Sequence, residues 1–351
     1  MSTGPESTPA PTQDEISGPA PSERSAKKPW VVSAVVACAT VALLAAGGIT
    51  YAVLNSQSSP SDSIAGYFDA LVDGDAQEAL AYVESVPEDQ RVLLQDGIYS
   101  EVGDPVSAYS ITEEEVDDDT ATVTVTVEQG DAEYEQDLTL TRVSDDDGES
   151  WKIDPVALPI VNLTFVRPEG AALSVNGVDL GDAVVASAPV LPGTYEFLPT
   201  SASGMVTGDP VPVTATPEST VDDLSIVVTP RLSEAGLAAA RAAFDAHIDA
   251  CVAETVIAPV SKCGYGMNQD EATYSNIRWS VPERPQVDFP AWNEEKGWEV
   301  VLLSPGHLRL DGDYVEGGES GTVFLDVKNY QPRGGVRFDD AGAATYVSTY
   351  E

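Results

Sequence analysis

The chain has 351 residues, and its 58 acidic against 17 basic side chains give a formal net charge of −41 at pH 7. So negative a surface repels phosphate backbones and anionic headgroups, which argues against nucleic-acid binding and peripheral membrane docking and favours cationic partners or divalent cations. Hydrophobic residues at 42% are enough for real cores, and the length after residue 54 accommodates two or three domains.

Residues 1–29 are rich in Ser, Pro, Thr, Glu and Gly and poor in large apolar side chains, so they cannot bury enough surface to offset ordering entropy. A disordered cytoplasmic tail is predicted there. Trp30 to Leu54 is an uncharged apolar run of 25 residues, and at about 1.5 Å per residue such a helix exceeds a bilayer core of about 30 Å. Arg24, Lys27 and Lys28 precede it and no Lys or Arg follows until Arg91, so the positive-inside rule predicts one transmembrane helix at 30–54 with a cytoplasmic N-terminus and everything later outside. Two rivals are a signal peptide cleaved near Ala45 to Gly48 and a lipobox ending at Cys38. The first has a long leader and an overlong apolar core, and the second leaves the apolar residues up to Leu54 unexplained. Asn55 to Ser61 reads as a polar tether.

From Ser63 the spacing of Ile64, Phe68, Leu71 and Val72 predicts a helix. Gly74-Asp75 breaks and recaps the chain before a second helix with Ala79, Leu80 and Val83. Ala121, Val123, Val125 and Val127 alternate with Thr122, Thr124 and Thr126, a half-buried strand. Tyr134 to Val143 alternates again, turns at Ser144 to Gly148, and Trp151 to Ile153 opens another strand, which together predict an α+β layer over residues 59–156. The run Tyr67 to Leu80, with Thr120 to Val123 and Trp151 to Ile153, resembles an NTF2-like cone domain. The resemblance implies a curved sheet around a helix, with a pocket that some members use for catalysis. Asp69, Tyr82 and Tyr109 are the residues available to line it, although residues 59–155 contain no histidine.

Val166 to Gly181, which contains Pro168-Glu169-Gly170-Ala171, resembles a PEGA domain, and Leu191 to Phe197 resembles that family's closing strand. The likeness implies a small extracytoplasmic β module without chemistry of its own. Asn176-Gly177 supplies the positive φ angles of a tight hairpin, and residues 158–229, with Leu224, Ile226 and Val228 late in them, read as a small β-sandwich.

Pro230 closes that unit. A helix is predicted to open at the N-cap Ser233 and to run through Leu237, Phe244, Ile248 and Cys251. Cys251 and Cys263 are the two cysteines outside the apolar run, so a disulfide is predicted to pin the helix end to the next loop. A zinc site would need two further ligands, and the chain has only two histidines. Strand-like runs follow at Ile277 to Val281, Trp298 to Leu303, Tyr314-Val315, Val323 to Val327 and Thr345 to Ser348. Residues 230–351 are therefore expected to form a C-terminal α+β domain that repeats the plan of the first.

No complete catalytic or metal motif occurs. Ser25-Ala26-Lys27-Lys28 fits S-x-x-K but sits in the tail without companion motifs, and Asn162-Leu163-Thr164 is a glycosylation sequon. Glu113 to Glu115 with Asp117 to Asp119, Asp145 to Asp147, and Asp311 with Asp313 offer hard oxygen ligands for calcium, but none has EF-hand spacing. His247 reads as a packed helix residue and His307 as a turn residue. The sequence therefore points to a single-pass plasma-membrane protein of the cell envelope whose outer part binds, scaffolds or senses an envelope protein or cell-wall component without catalysis or cofactor. The layout is similar to membrane proteins of bacterial cell-wall stress responses. The alternatives are an enzyme using the cone pocket and a divalent-cation-binding surface protein.

Overall fold

Ser59 opens the first helix because its side chain accepts from Asp62 N while the Asp62 carboxylate accepts from Ser59 N, a reciprocal cap followed by Pro60. The computed structural model describes residues 58–350 apart from 146–147, 182, 184–185, 221–222, 260 and 268–270. The tail 1–29, the apolar run 30–54, Cys38 and Ser25 to Lys28 lie outside the described residues. Among the described residues no helix is long and apolar enough to cross a membrane.

Helix α1 (Pro60–Asp73) buries Ile64, Tyr67, Phe68 and Leu71, and Gly74 at φ 79° ends it in the left-handed conformation. Asp75 then caps α2 (Ala76–Ala81) through Glu78 N. A one-turn α3 (Asp96–Tyr99) leads into an antiparallel meander of β1 (Val106–Asp117), β2 (Thr120–Gln129), β3 (Ala132–Asp145) and β4 (Gly148–Ile153), in spatial order β1-β2-β3-β4. The threonine-valine alternation of β2 buries Ala121, Val123, Val125 and Val127 in one core with Ile64, Phe68 and Leu71. Full burial of such a side chain contributes about 1.5–3 kcal/mol.

The middle segment forms two small sheets around a shared core that includes Leu173, Val175, Tyr195 and Phe197. One holds β6 (Ala171–Val175), β7 (Val178–Asp179), β9 (Gly193–Ser201) and β11 (Val211–Ala215), and the other β5 (Ile160–Phe165), β8 (Ser187–Pro189) and β12 (Ser225–Val228). Asn176 (φ 49°) and Gly177 (φ 81°) make the tight β6–β7 turn, as the Asn-Gly pair predicts. A ribbon of β10 (Val206–Gly208) and β13 (Pro230–Leu232) leads to the last segment.

There Ser233 caps α4 (Glu234–Val252) through Gly236 N at 3.0 Å. The buried face of α4, with Ala240, Phe244 and Ile248, joins Trp298, Leu308, Tyr330, Val336 and Phe338 in a third core. The strands divide among three sheets. They are β14 (Thr273–Glu283) with β19 (Gly306–Glu316) and β20 (Glu319–Tyr330), β15 (Gln286–Asp288) with β18 (Val301–Ser304), and β16 (Trp292–Asn293), β17 (Gly297–Glu299), β21 (Gly334–Phe338) and β22 (Ala344–Ser348) together.

These observations overturn the predicted α+β class with its NTF2-like cone, while the predicted transmembrane helix falls on residues outside those described. Strand makes up about half of the described residues, and only α1 and α4 exceed two turns among them. Two misread features account for the difference. The acidic stretch Glu113 to Asp117, which no predicted strand included, pairs with Thr120 to Thr124 as the end of β1, and the C-terminal strands split among three sheets instead of repeating one meander. The three segments nevertheless belong to one compact unit, Gln57–Glu351. Gly103 and Thr194 exchange backbone hydrogen bonds at 2.9 and 2.6 Å between the first and second, and Arg337 pairs with Glu169 at 3.1 Å between the third and second.

Candidate functional site

The three predicted pocket residues do not converge on a cavity. Tyr109 Oη donates to Asp69 Oδ1 at 2.8 Å and to Ala65 O at 3.2 Å, and its ring stacks on Phe68 with centroids 5.1 Å apart. Burial first, then the Asp69 hydrogen bond and charge, push the Tyr109 hydroxyl up to about 12, so it is a fixed donor near neutral pH. Tyr82, at the C-cap of α2, packs over Gly66 of α1, where an added Cβ would come within 2.3 Å of its ring. Between the meander and the middle segment, Tyr67, Phe68, Gln136, Leu138 and Ile153 help to enclose only about 10 Å³, at or below the room one water needs.

The opposite, solvent-facing side of the meander is where charge gathers. On β2 the side chains of Thr120, Thr122, Thr124 and Thr126 point outward because their valine and alanine neighbours point into the core. Register sets Asp117, Glu115 and Glu113 opposite Thr120, Thr122 and Thr124 on β1, and Asp137 and Glu135 opposite Thr124 and Thr126 on β3. Glu128 on β2 and Glu133 on β3 extend the same face. The threonines of β2 thus run between two staggered carboxylate rows that stand across from each other at Thr124. The threonine row is stiff, because β-branched threonines hold few rotamers, and Thr124 Oγ1 ties to Asp137 Oδ1 at 2.7 Å.

A bulge sorts the glutamates of β1. The register shift between Ile111 and Glu113 lets Glu113 and Glu115 face outward while Glu114 accepts from Ser61 N at 3.0 Å and from Ser61 Oγ. Glu114 thereby satisfies an otherwise unpaired N–H in the first turn of α1, at the positive end of its dipole.

Each of the three basic residues of this segment has a partner of its own, although Lys152, opposite Thr141, stands on the same side of the sheet as the threonines. Arg91 Nε donates to Val86 O at 2.8 Å, Lys152 Nζ to Ala81 O at 2.6 Å, and Arg142 sits 4.7 Å over the Trp151 ring and 3.6 Å from Asp119. The two rows are two strand spacings apart, about 9–10 Å, whereas calcium gathers six to eight oxygens at about 2.3–2.6 Å. Among the described residues no group of three His, Cys, Asp or Glu side chains is placed to hold a metal ion. Along each row, alternate residues repeat every ~7 Å, which is also the spacing of alternate side chains on an extended peptide.

The other predicted residues have structural partners. Cys251 and Cys263 are buried at disulfide distance, their Cα atoms 5.7 Å apart. His247 lies 3.6 Å from Cys251 Sγ and 4.5 Å from the Tyr346 ring, and burial pushes its pKa down, with the neighbouring Lys262 acting in both directions. His307 belongs to β19 instead of a turn and bonds Asp326. Asp311 receives Arg309 through both Nε and Nη2, and Asp313 receives Asn276 Nδ2 at 2.7 Å. Asp145 and Gly148 pair at the end of the β3–β4 hairpin, with 146–147 outside the described residues. Asn162 lies half-buried in β5, the central strand of its sheet.

Fold and face together define a strand-rich chain that offers a stiff, uncompensated carboxylate surface. Comparison with protein-family models, with curated proteins and with solved structures returned no match, so the functional reading rests on the chain's own residues.

Proposed function

We propose that this chain works outside the cytoplasm as a non-enzymatic binding or scaffold protein of the cell envelope, and that its β1–β3 face takes a cationic partner. The observation that carries this reading is the pair of carboxylate rows on either side of the β2 threonines, with every basic residue of the segment held by a partner of its own. The row-to-row distance disfavours chelation of one ion, and the repeat along each row suits an extended segment with Lys or Arg at alternate positions. A bond between Cys251 and Cys263 suits an oxidising compartment. The filled space beside Tyr67 and Phe68 and the commitment of Tyr109 to Asp69 support binding over catalysis.

The test compares two sets of full-length variants in cells. Asp69→Asn, Tyr82→Phe and Tyr109→Phe, made singly, should leave the cellular role intact, because loss of an essential acid or base costs about 10²-fold or more in rate and no such step is invoked here. Glu113→Gln, Glu115→Gln, Glu135→Gln and Asp137→Asn combined should abolish it at unchanged abundance. The reverse pattern would falsify the proposal.

A further inference from the structure

A second recognition surface lies on the sheet β14-β19-β20. Phe324, in the edge strand β20, is 73% exposed, the most exposed aromatic ring among the described large hydrophobics. Its ring stands open to solvent on the rim of a concave, polar-lined surface, where it is available to stack on a ligand. Register sets Arg278, Asp311 and Phe324 side by side across the three strands, and Ser275, Asp313 and Thr322 in the next aligned row. Between these rows β14 bulges, and Asn276 stands at φ 52°, an uncommon conformation for a non-glycine residue. The bulge aims the Asn276 amide at Asp313. These side chains rim a shallow bowl of about 430 Å³, within the usual size of small-ligand sites.

The chemistry of the rim selects the ligand class. Arg278 and Arg309 balance Asp311 and Asp313, so a charged ligand would meet as many like as opposite charges. Guanidinium, carboxylate and amide groups are planar and present paired donors or acceptors, the arrangement that two adjacent hydroxyls of a sugar ring can match. The exposed ring of Phe324 offers an apolar platform for the C–H face of a pyranose, and aromatic rings of this kind dominate the energetics of binding sites. We infer that the β14-β19-β20 face binds a neutral saccharide, with Phe324 as the stacking platform and Asn276, Arg278, Asp311 and Asp313 as the hydroxyl-bonding groups. This site lies on a different sheet from the acidic face, and neither reading depends on the other.

The experiment titrates the full-length protein with maltotetraose, cellotetraose, mannotetraose and N-acetylchitotetraose by calorimetry and by saturation-transfer NMR. At least one should bind with a Kd between about 10 µM and 1 mM. Phe324→Ala should weaken that binding about tenfold or more, Phe324→Trp should preserve or tighten it, and Arg278→Ala should weaken it while leaving the melting temperature unchanged. Because Phe324 is exposed, its alanine variant should fold, and the tryptophan variant tests the platform independently. Three results would overturn the inference: no binding of any of the four up to about 10 mM, binding that Phe324→Ala leaves unchanged, or a Phe324→Ala effect confined to self-association.

Discussion

The first and last segments handle charge in opposite ways. Residues 59–157 carry 27 acidic and three basic side chains, and residues 230–351 carry 19 and ten. In the last segment many basic side chains are paired in place: Arg284 with Asp245 at 3.0 Å and with Asp249, Lys296 with Glu299 at 2.8 Å, Arg309 with Asp311 at 2.7 Å and His307 with Asp326. In the first, Arg142 and Asp119 approach at 3.6 Å while the carboxylates of β1 and β3 stand apart. Exposed pairs contribute about 0–1 kcal/mol each, so the contrast does little for stability. What it teaches concerns use: one segment pairs its basic side chains with its own carboxylates, and the other leaves most of its charge for something outside to neutralise.

The comparison can be broken through the two cores that carry these surfaces. Phe68 is 1% exposed at the centre of the first core, so Phe68→Ala should cost about 3–5 kcal/mol, read as a lower denaturation midpoint. If the carboxylate face needs that core, polycation binding should be lost with it. Cys251→Ala in the oxidised protein should cost about 3 kcal/mol, since the closed loop is short, and hydrogen exchange should locate the loosening in α4 and the Cys263 loop. Thiol alkylation of the native protein without reductant should label neither Cys251 nor Cys263, and labelling of both would contradict the bond.

Smaller effects sharpen the contrast. The depressed pKa of His247 means that the unfolded state binds its proton more readily than the folded state. Its contribution is therefore fully present above the unfolded value of about 6.5 and is lost as pH falls below it. Melting of the last segment between pH 8 and 5 should decline on the acid side, and His247→Gln should flatten that decline. Smallest of all, Arg284→Met should change stability by no more than about 1 kcal/mol, because the pairs it breaks are exposed.

Local signals were legible in the sequence wherever backbone chemistry decides. Ser233 caps α4, Gly74-Asp75 ends one helix and starts another, Asn176-Gly177 turns a hairpin, and the β2 alternation points its valines inward. Long-range pairing was not legible. Glu113 to Asp117 have weak strand propensity alone and become β1 because β2 supplies a partner and the bulge lets Glu114 cap α1. The two carboxylate rows are 16 or more residues apart in sequence and share a face only through the register of β2. The alternation of Glu113, Glu115 and Asp117 opposite the threonines is the signal that finds them. Arg278, Asp311 and Phe324 are likewise joined only by pairing.

The measurement that tests the central claim most directly is titration of the full-length protein with an extended peptide carrying lysine at alternate positions, repeated from about 50 to 200 mM salt across the range where the Debye length falls from roughly 14 to 7 Å. The account predicts binding that weakens steeply with salt, and that drops at least tenfold when Glu113, Glu115, Glu135 and Asp137 are neutralised together. Affinity that ignores both the salt and these four substitutions would contradict it.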